Sequence, residues 1–191
     1  LTRIWYSPAV VAFFQVFIYS LVTTYSLMTF KKLRVSFITL LLLDLFVSIN
    51  LINGLINVTV WKDVLYSILI LLLTVLILNI IITRGEWINH KTHIIFLGFI
   101  LANILLLRHN GLPVIILTPI VLLLGYKNYR LRVLYATVVM GLYALLIKGP
   151  VYEIFHVDTE FSQNYAIALI HPIAAHTSQP MDLTLQEEQY L

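Results

Sequence analysis

The chain has 191 residues, of which 60% are hydrophobic and 11% charged, and its formal net charge at pH 7 is +3. A typical soluble domain is roughly one quarter charged, so a single soluble core cannot absorb this apolar excess. The Lys and Arg residues neither cluster nor interleave with aromatic residues on a polar surface, which excludes nucleic acid as a partner. The absence of cysteine excludes a disulfide framework and a cysteine-based metal site.

Long apolar runs separated by charged or turn-forming residues follow one another along the chain. They predict six membrane-spanning helices, at residues 8–30, 35–57, 64–83, 92–107, 111–126 and 133–148. The last three have about 16 residues each and cover roughly 24 Å, a little less than the hydrocarbon thickness. The runs are solidly apolar rather than alternating, which favours helices over strands.

Residues 149–191 depart from this pattern, because they hold six of the nine acidic residues. We therefore predict an all-α fold in which residues 1–148 form a polytopic transmembrane helix bundle and residues 149–191 an external segment with short helices. The first residue is Leu1 rather than Met, and a capping box that begins a helix, Thr184 to Glu187, lies close to the last residue. The sequence is expected to be a fragment that lacks helices at one or both ends.

The distribution of Lys and Arg predicts the orientation in a cell membrane. With alternating crossings, one set of loops holds eight basic residues: Lys31, Lys32, Arg34, Arg84, Lys91, Lys127, Arg130 and Arg132. The other set holds four: Arg3, Lys62, Arg108 and Lys148. Because cytoplasmic loops carry the excess of Lys and Arg, the first set is assigned to the cytoplasm. Residues 62, 108 and 149–191 are then external.

The stretch Trp61-Lys62-Asp63 lies at the predicted outer start of the third span. Asp63 can cap the helix expected to begin near Val64, Lys62 can reach a phosphate, and Trp61 suits the aromatic belt. The stretch has two interpretations, a helix cap with interface anchors or a phosphate-binding group.

The polar turn Arg108-His109-Asn110 joins two short predicted spans, so it is expected at headgroup depth. Arg108 offers a fork of donors suited to phosphate, His109 can exchange a proton, and Asn110 can hold a sugar hydroxyl. Gly111 permits a tight turn. The alternative is a hairpin whose arginine only snorkels to lipid headgroups.

Isolated polar residues interrupt the second span. Asp44 lies near its middle, a costly position that marks a partner or a pathway, unless a protonated carboxyl bonds to Ser48 or to a neighbouring helix. Asn50, Asn53 and Asn57 share one helical face, where they are expected to line a polar cavity or to join helices.

Histidines and acids in the tail lack the spacing of a helical metal site. His156, Asp158 and Glu160 alternate, and His171 and His176 are five apart, so a surface role is favoured. No zinc motif, nucleophile elbow or glycine-rich phosphate loop occurs in the sequence.

Three stretches together resemble a known class of membrane enzyme. They are residues 57–67 around Trp61-Lys62-Asp63, Leu107-Arg108-His109-Asn110-Gly111, and the pair Ala168 to Ala175 and Leu183 to Glu188. They are similar to stretches of large, poorly characterised bacterial proteins that look like GT-C-fold glycosyltransferases, the superfamily of the protein mannosyltransferases. The resemblance covers roughly residues 35–191.

This resemblance implies transfer of a sugar from a polyprenyl-phosphate donor, in the membrane, to an extracytoplasmic acceptor. The implied partners are membrane lipid and a polyprenyl-phosphate-linked sugar, and a requirement for a divalent cation is left open. Lys62, Arg108, His109 and Asn110 would bind the donor. The catalytic carboxylate of the superfamily lies in the first external loop and has no clear counterpart here. Asp63 is the available candidate, although its place beside Lys62 suits positioning better than base catalysis.

Two other functions remain open. A multi-pass transporter or lipid flippase would use Asp44 and the asparagine face as a midplane path. A scaffold without chemistry would use Lys62 and Arg108 only as anchors. A transporter should place ionisable groups at the midplane, whereas a lipid-sugar transferase should gather them at one leaflet. The collection of polar groups at the predicted outer edge favours the transferase.

Overall fold

A computed structural model describes residues 9–59, 61–108 and 111–155, and this part of the chain is helical without strands. Eight α-helices follow in order: α1 Ala9–Lys32, α2 Phe37–Ile49, α3 Leu51–Val58, α4 Lys62–Ile82, α5 Lys91–Leu107, α6 Leu112–Gly125, α7 Arg130–Leu146 and α8 Tyr152–Ile154. Short 3₁₀ turns, Glu86–Asn89 and Lys127–Tyr129, precede α5 and α7, and a π-helical turn, Ile147–Val151, follows α7.

Three helical stretches are long and apolar enough to cross a membrane: Ala9–Lys32, Lys62–Ile82 and Lys127–Ile154. Helices α2, α5 and α6 are apolar but shorter. The all-helical class predicted from the sequence is confirmed for the described residues, and the three long apolar helices are compatible with a membrane protein. The number of six spans stays a prediction.

The predicted second span, residues 35–57, is not one helix. Ser36 begins α2 by accepting the N–H of Thr39 at 3.1 Å, and the helix ends at Asn50. Asn50 then caps α3, because its Oδ1 accepts the N–H of Asn53 at 3.3 Å. The expectation of one uninterrupted helix over residues 35–57 was wrong, because a local side-chain bond competes with helix continuation at Asn50.

Helices α1 and α4 both end in a left-handed residue that is an arginine rather than the usual glycine. Arg34 has a φ of 61° and Arg84 a φ of 50°, and the following amides bond back to Phe30 and Ile80. This is the Schellman arrangement, in which a non-glycine residue costs roughly 1–2 kcal/mol.

Helix α4 lies at the centre of the core, where Leu76 and Ile80 are fully buried. Helix α5 packs closely on α7 at Gly98, since a Cβ there would lie 2.6 Å from the carbonyl oxygen of Ala136. Small residues allow such close contact between membrane helices. Large apolar side chains on the outer faces of α2, α6 and α7 are exposed, as on a surface that faces lipid.

A buried amide joins α1 to α4. Asn79, which is fully buried, donates to Thr29 Oγ1 at 2.8 Å and accepts from Lys32 Nζ at 3.1 Å. At the other end of the same helix pair, Gln15 donates to the carbonyl oxygen of Trp61 at 3.1 Å. These contacts make α1 and α4 parallel.

The helix contacts separate two ends of the bundle. Lys32 meets Asn79, Arg132 meets Asn89, and Gly85 packs on Tyr126. Residues 31–36, 83–91 and 125–132 therefore lie at one end, here called the basic end. The opposite end, here called the Asp63 end, holds residues 59, 61–63, 107–108 and 111. The loop set with eight basic residues in the sequence thus shares one end, and its assignment to the cytoplasm stays a prediction.

The chain divides into two compact units, residues 1–148 and 149–191. In the second unit the described residues end at Phe155 and include α8. The external placement predicted for 149–191 is not tested. The predictions for His156, Asp158, Glu160, His171 and His176, for the capping box, and for the tail stretches that carry the resemblance lie outside the described residues.

Candidate functional site

Helix α4 begins at Lys62, two residues earlier than the start near Val64 that a cap by Asp63 would require. Trp61, with extended backbone, precedes Lys62 at the first helical position, and no side chain caps this end. Asp63 therefore lies within the first turn, so the expectation that it caps the helix was wrong. Its carboxylate lies near the positive end of the helix dipole and faces another partner.

That partner is Arg108, which ends α5 with an extended backbone. One guanidinium nitrogen, Nη1, lies 3.3 Å from Oδ1 of Asp63. The guanidinium also lies over the ring of Tyr66, 5.9 Å from its centroid, in a cation–π arrangement. Two residues that stand 45 positions apart in sequence thus meet because α4 and α5 run antiparallel.

The ion pair between Arg108 and Asp63 is weak, so Arg108 can still bind another anion. The side chains are 41% exposed for Arg108 and 30% exposed for Asp63, and partly exposed ion pairs contribute only about 0–1 kcal/mol. Oδ1 of Asp63 is buried without a well-aligned hydrogen bond among the described residues, so the contact is an ion pair of loose geometry. An incoming anion can therefore recruit Arg108 at small cost.

A cavity of about 470 Å³ lies beside Asp63, between α1, α3 and α4. Polar side chains on its wall come from Asn53, Asn57, Thr59, Asp63 and Ser67. The rest of the lining is apolar or aromatic: Tyr19, Ile56, Trp61, Val64, Ile68 and Leu71. Such a cavity suits a ligand that has a polar head joined to an apolar chain.

Internal hydrogen bonds hold this wall in place. Asn57, 7% exposed, donates to the carbonyl oxygen of Asn53 at 2.8 Å, and Asn53 donates to that of Val47 at 3.4 Å. Gln15, 3% exposed, holds the Trp61 carbonyl. Its own Oε1 is buried without a partner among the described residues and is left as an acceptor.

Of the four residues predicted to bind the sugar donor, Lys62 and Arg108 lie within the described part of the chain. Arg108 contacts Asp63, and Lys62 is exposed at the first position of α4, next to Asp63, but neither Arg108 nor Lys62 lines the cavity itself. His109 and Asn110 lie outside the described residues.

No family model, curated protein or solved structure matches the chain. The resemblance to glycosyltransferases therefore depends on the short motifs, and the geometry of the site is the remaining evidence for what it binds.

Sequence reasoning did not single out Tyr66 or Gln15. Gln15 carried a signal, since it is the one long amide side chain within the predicted first span. The sequence gives no such indication for Tyr66, because its cation–π contact depends on where Arg108 lies in the folded chain. Of the three asparagines expected to line a polar cavity, Asn53 and Asn57 do so.

Asp44 is exposed and makes no hydrogen bond or ion pair with the described residues, so the alternative of a carboxyl bonded to Ser48 is not seen. It lines a smaller cavity of about 140 Å³ with Thr23, whose buried hydroxyl also lacks a partner there. In residues 9–59, 61–108 and 111–155, no three His, Asp or Glu side chains come together as metal ligands.

Proposed function

We propose that this chain is the membrane-embedded part of a glycosyltransferase that takes a sugar from a polyprenyl-phosphate donor and passes it to an acceptor outside the cytoplasm. The observation that carries the proposal is the loose ion pair of Arg108 with Asp63, since Asp63 is itself part of the wall of a cavity with polar and apolar sides. A polyprenyl-phosphate sugar has the matching combination of anion, hydroxyl groups and apolar chain.

Arg108 stabilises the leaving phosphate in this proposal. As the bond between the anomeric carbon and the phosphate oxygen breaks, the phosphate keeps the electron pair and gains negative charge. A guanidinium already directed at an anion stabilises this charge with little reorganisation. Lys62, exposed one residue before Asp63, adds a second cation for the same phosphate.

The acceptor hydroxyl oxygen forms the new bond to the anomeric carbon, and its proton passes to a carboxylate. Asp63 is assigned to positioning rather than to this proton transfer, because its carboxylate is already paired with Arg108. The amides of Asn53 and Asn57 have the donor and acceptor groups that sugar hydroxyls require.

Donor binding tests the proposal directly. The purified protein is titrated with a polyprenyl phosphate and, as matched ligand, the polyprenol of the same chain length. We expect Arg108→Ala to weaken phosphate binding about 10- to 100-fold, since a bond to a charged group contributes about 1.5–3 kcal/mol. Binding of the polyprenol should not change. Equal affinity of Arg108→Ala and the unchanged protein for polyprenyl phosphate would remove Arg108 from the site.

Transfer activity separates the two residues of the pair. In the whole protein, Arg108→Ala is expected to abolish sugar transfer while membrane insertion is retained. Asp63→Asn should lower transfer through a higher KM and leave kcat within about threefold, because it loosens Arg108 without removing it. A loss of kcat with unchanged KM in Asp63→Asn would instead identify Asp63 as the base.

A transporter or flippase is the second candidate, favoured by the exposed Asp44 and by the Thr23 hydroxyl in the same cavity, which has no partner among the described residues. An ionisable residue within a span is characteristic of a transport path. In proteoliposomes, Asp44→Asn should abolish lipid-sugar or solute movement if this function is correct. For the transferase, the same substitution should leave sugar transfer unchanged.

A further inference from the structure

A second polar cavity lies at the basic end, far along α4 from the Asp63 end. Its volume is about 370 Å³. It is formed where the turn that follows α4 meets the turn between α6 and α7. The lining residues are Arg84, Gly125, Tyr126, Lys127, Asn128 and Tyr129. No part of the proposed sugar-transfer site reaches this cavity.

The turn that presents Arg84 is held firmly against the tyrosines. Arg84 and Gly85 both have positive φ, 50° and 92°, and the amide of Gly85 bonds back to Ile80 at 2.8 Å. A Cβ on Gly85 would lie 2.7 Å from Tyr126 and 2.8 Å from Tyr129. Only glycine permits this approach, which fixes the position of Arg84 relative to the tyrosine-lined wall.

The basic residues around this cavity fall into two groups. Arg130 donates through Nε to the carbonyl oxygen of Leu123 at 3.1 Å, and Arg132 donates to that of Asn89. The side chains of these two arginines are therefore engaged with main-chain carbonyl groups of neighbouring turns. Arg84 and Lys127, by contrast, line the cavity and have no ion pair or side-chain hydrogen bond with any described residue.

The nearest acid in sequence does not neutralise these two cations. Glu86 is exposed, does not line the cavity and forms no ion pair within the described part of the chain. Within the described residues, the cavity therefore has two positive charges without an ion-pair partner, together with donors from Asn128 and two phenol groups. Oxygen atoms of a phosphate match this set of donors.

We propose that the cavity binds the phosphate of an anionic membrane lipid. A lipid is favoured as the source of the phosphate because the cavity lies where the apolar helices α4 and α6 end. Tyrosines belong at the headgroup level, and basic residues beside a span attract anionic lipids. The site would hold a lipid in the leaflet that meets the basic end, independently of any sugar donor at the other end.

The test uses the whole protein, stripped of lipid in detergent and titrated with phosphatidylglycerol or with phosphatidylcholine of the same acyl chains. Bound lipid is counted by native mass spectrometry. We expect preferential binding of phosphatidylglycerol, and a loss of about 10- to 30-fold in the double variant Arg84→Gln, Lys127→Gln. The single variant Lys127→Gln, at an exposed position, should lose part of this affinity without affecting folding.

Arg34 and Lys91 provide the matched control. Arg34 ends α1 with the same left-handed geometry as Arg84, and both control residues are exposed at the basic end without lining the cavity. The double variant Arg34→Gln, Lys91→Gln should bind phosphatidylglycerol normally. An equal loss in this variant would overturn the proposal in favour of diffuse attraction. Displacement of the lipid by millimolar inorganic phosphate would show a site for free phosphate and would also overturn it.

Discussion

Asn79 joins α1 to α4 through side-chain hydrogen bonds. Its amide bonds to Thr29 and Lys32 across the helix interface and to the Val75 carbonyl within α4. The amide also donates to the Tyr25 hydroxyl at 3.3 Å, so removing it leaves three polar groups of α1, those of Tyr25, Thr29 and Lys32, without this partner. A buried polar group that loses its hydrogen bond is more costly than the bond itself contributes.

We therefore expect Asn79→Ala to lower the free energy of unfolding in mixed micelles by about 1–3 kcal/mol. Asn103→Ala is the matched control, because among the described residues the Asn103 amide donates only to the Phe99 carbonyl oxygen within its own helix. Denaturant titration monitored by tryptophan fluorescence measures both. Similar losses in the two variants would show that the contact between α1 and α4 has no special weight.

Gly85 permits a second residue-level prediction. Alanine there would require a positive φ and would bring Cβ within 2.7 Å of Tyr126. We expect Gly85→Ala to lower the thermal midpoint, at a cost of more than about 1 kcal/mol. Gly141→Ala should be neutral or stabilising, since nothing lies within 4 Å of that Cβ and alanine favours a helix. An unchanged midpoint in Gly85→Ala would contradict the close packing of the turn.

At the scale of residues, the sequence indicated Arg108 and Asp63 as candidate site residues, but it did not predict that the two side chains form an ion pair. Their contact depends on α4 and α5 being antiparallel and on the register between them, and neither follows from local pattern. The same applies to Gln15, whose partner is a main-chain carbonyl with no side-chain signature. Residue types could be predicted to be chemically useful, whereas their partners required the tertiary structure.

At the scale of single elements, the ends of a helix could be predicted wherever charged or turn-forming residues flank an apolar run. Predicted spans 64–83, 92–107 and 111–126 lie within two residues of α4, α5 and α6 at either end. The break between α2 and α3 was not predictable in this way. It contains neither proline nor glycine, and its cause is the cap formed by Asn50.

The cap can be tested by hydrogen exchange. Asn50→Ala removes the acceptor for the Asn53 amide and should cost about 1 kcal/mol. We expect faster exchange of amides 51–54 in α3, measured by mass spectrometry in detergent. Asn50→Asp retains a capping oxygen and should exchange slowly. If Asn50→Asp exchanges as fast as Asn50→Ala, the break has another cause.

For the whole molecule, the helix directions place Lys62 and Asn128 at opposite ends. The positive-inside distribution predicts that the basic end is cytoplasmic. Because the chain has no cysteine, single cysteines report the topology without background labelling. In intact cells, Lys62→Cys should react with an impermeant maleimide, and Asn128→Cys should react only after permeabilisation. The reverse pattern would invert the orientation and place the candidate site in the cytoplasm.

The parallel contact of α1 with α4 has a consequence for biogenesis. In the predicted topology α1 enters the bilayer before α4 during synthesis, so Gln15 and Lys32 lack their acceptors at Trp61 and Asn79 until α4 has been made. A polar helix face is costly in lipid until it is covered. The first helix should therefore be retained beside the insertion machinery until the fourth emerges, and a ribosome stalled before α4 would leave α1 in contact with the translocon rather than with lipid.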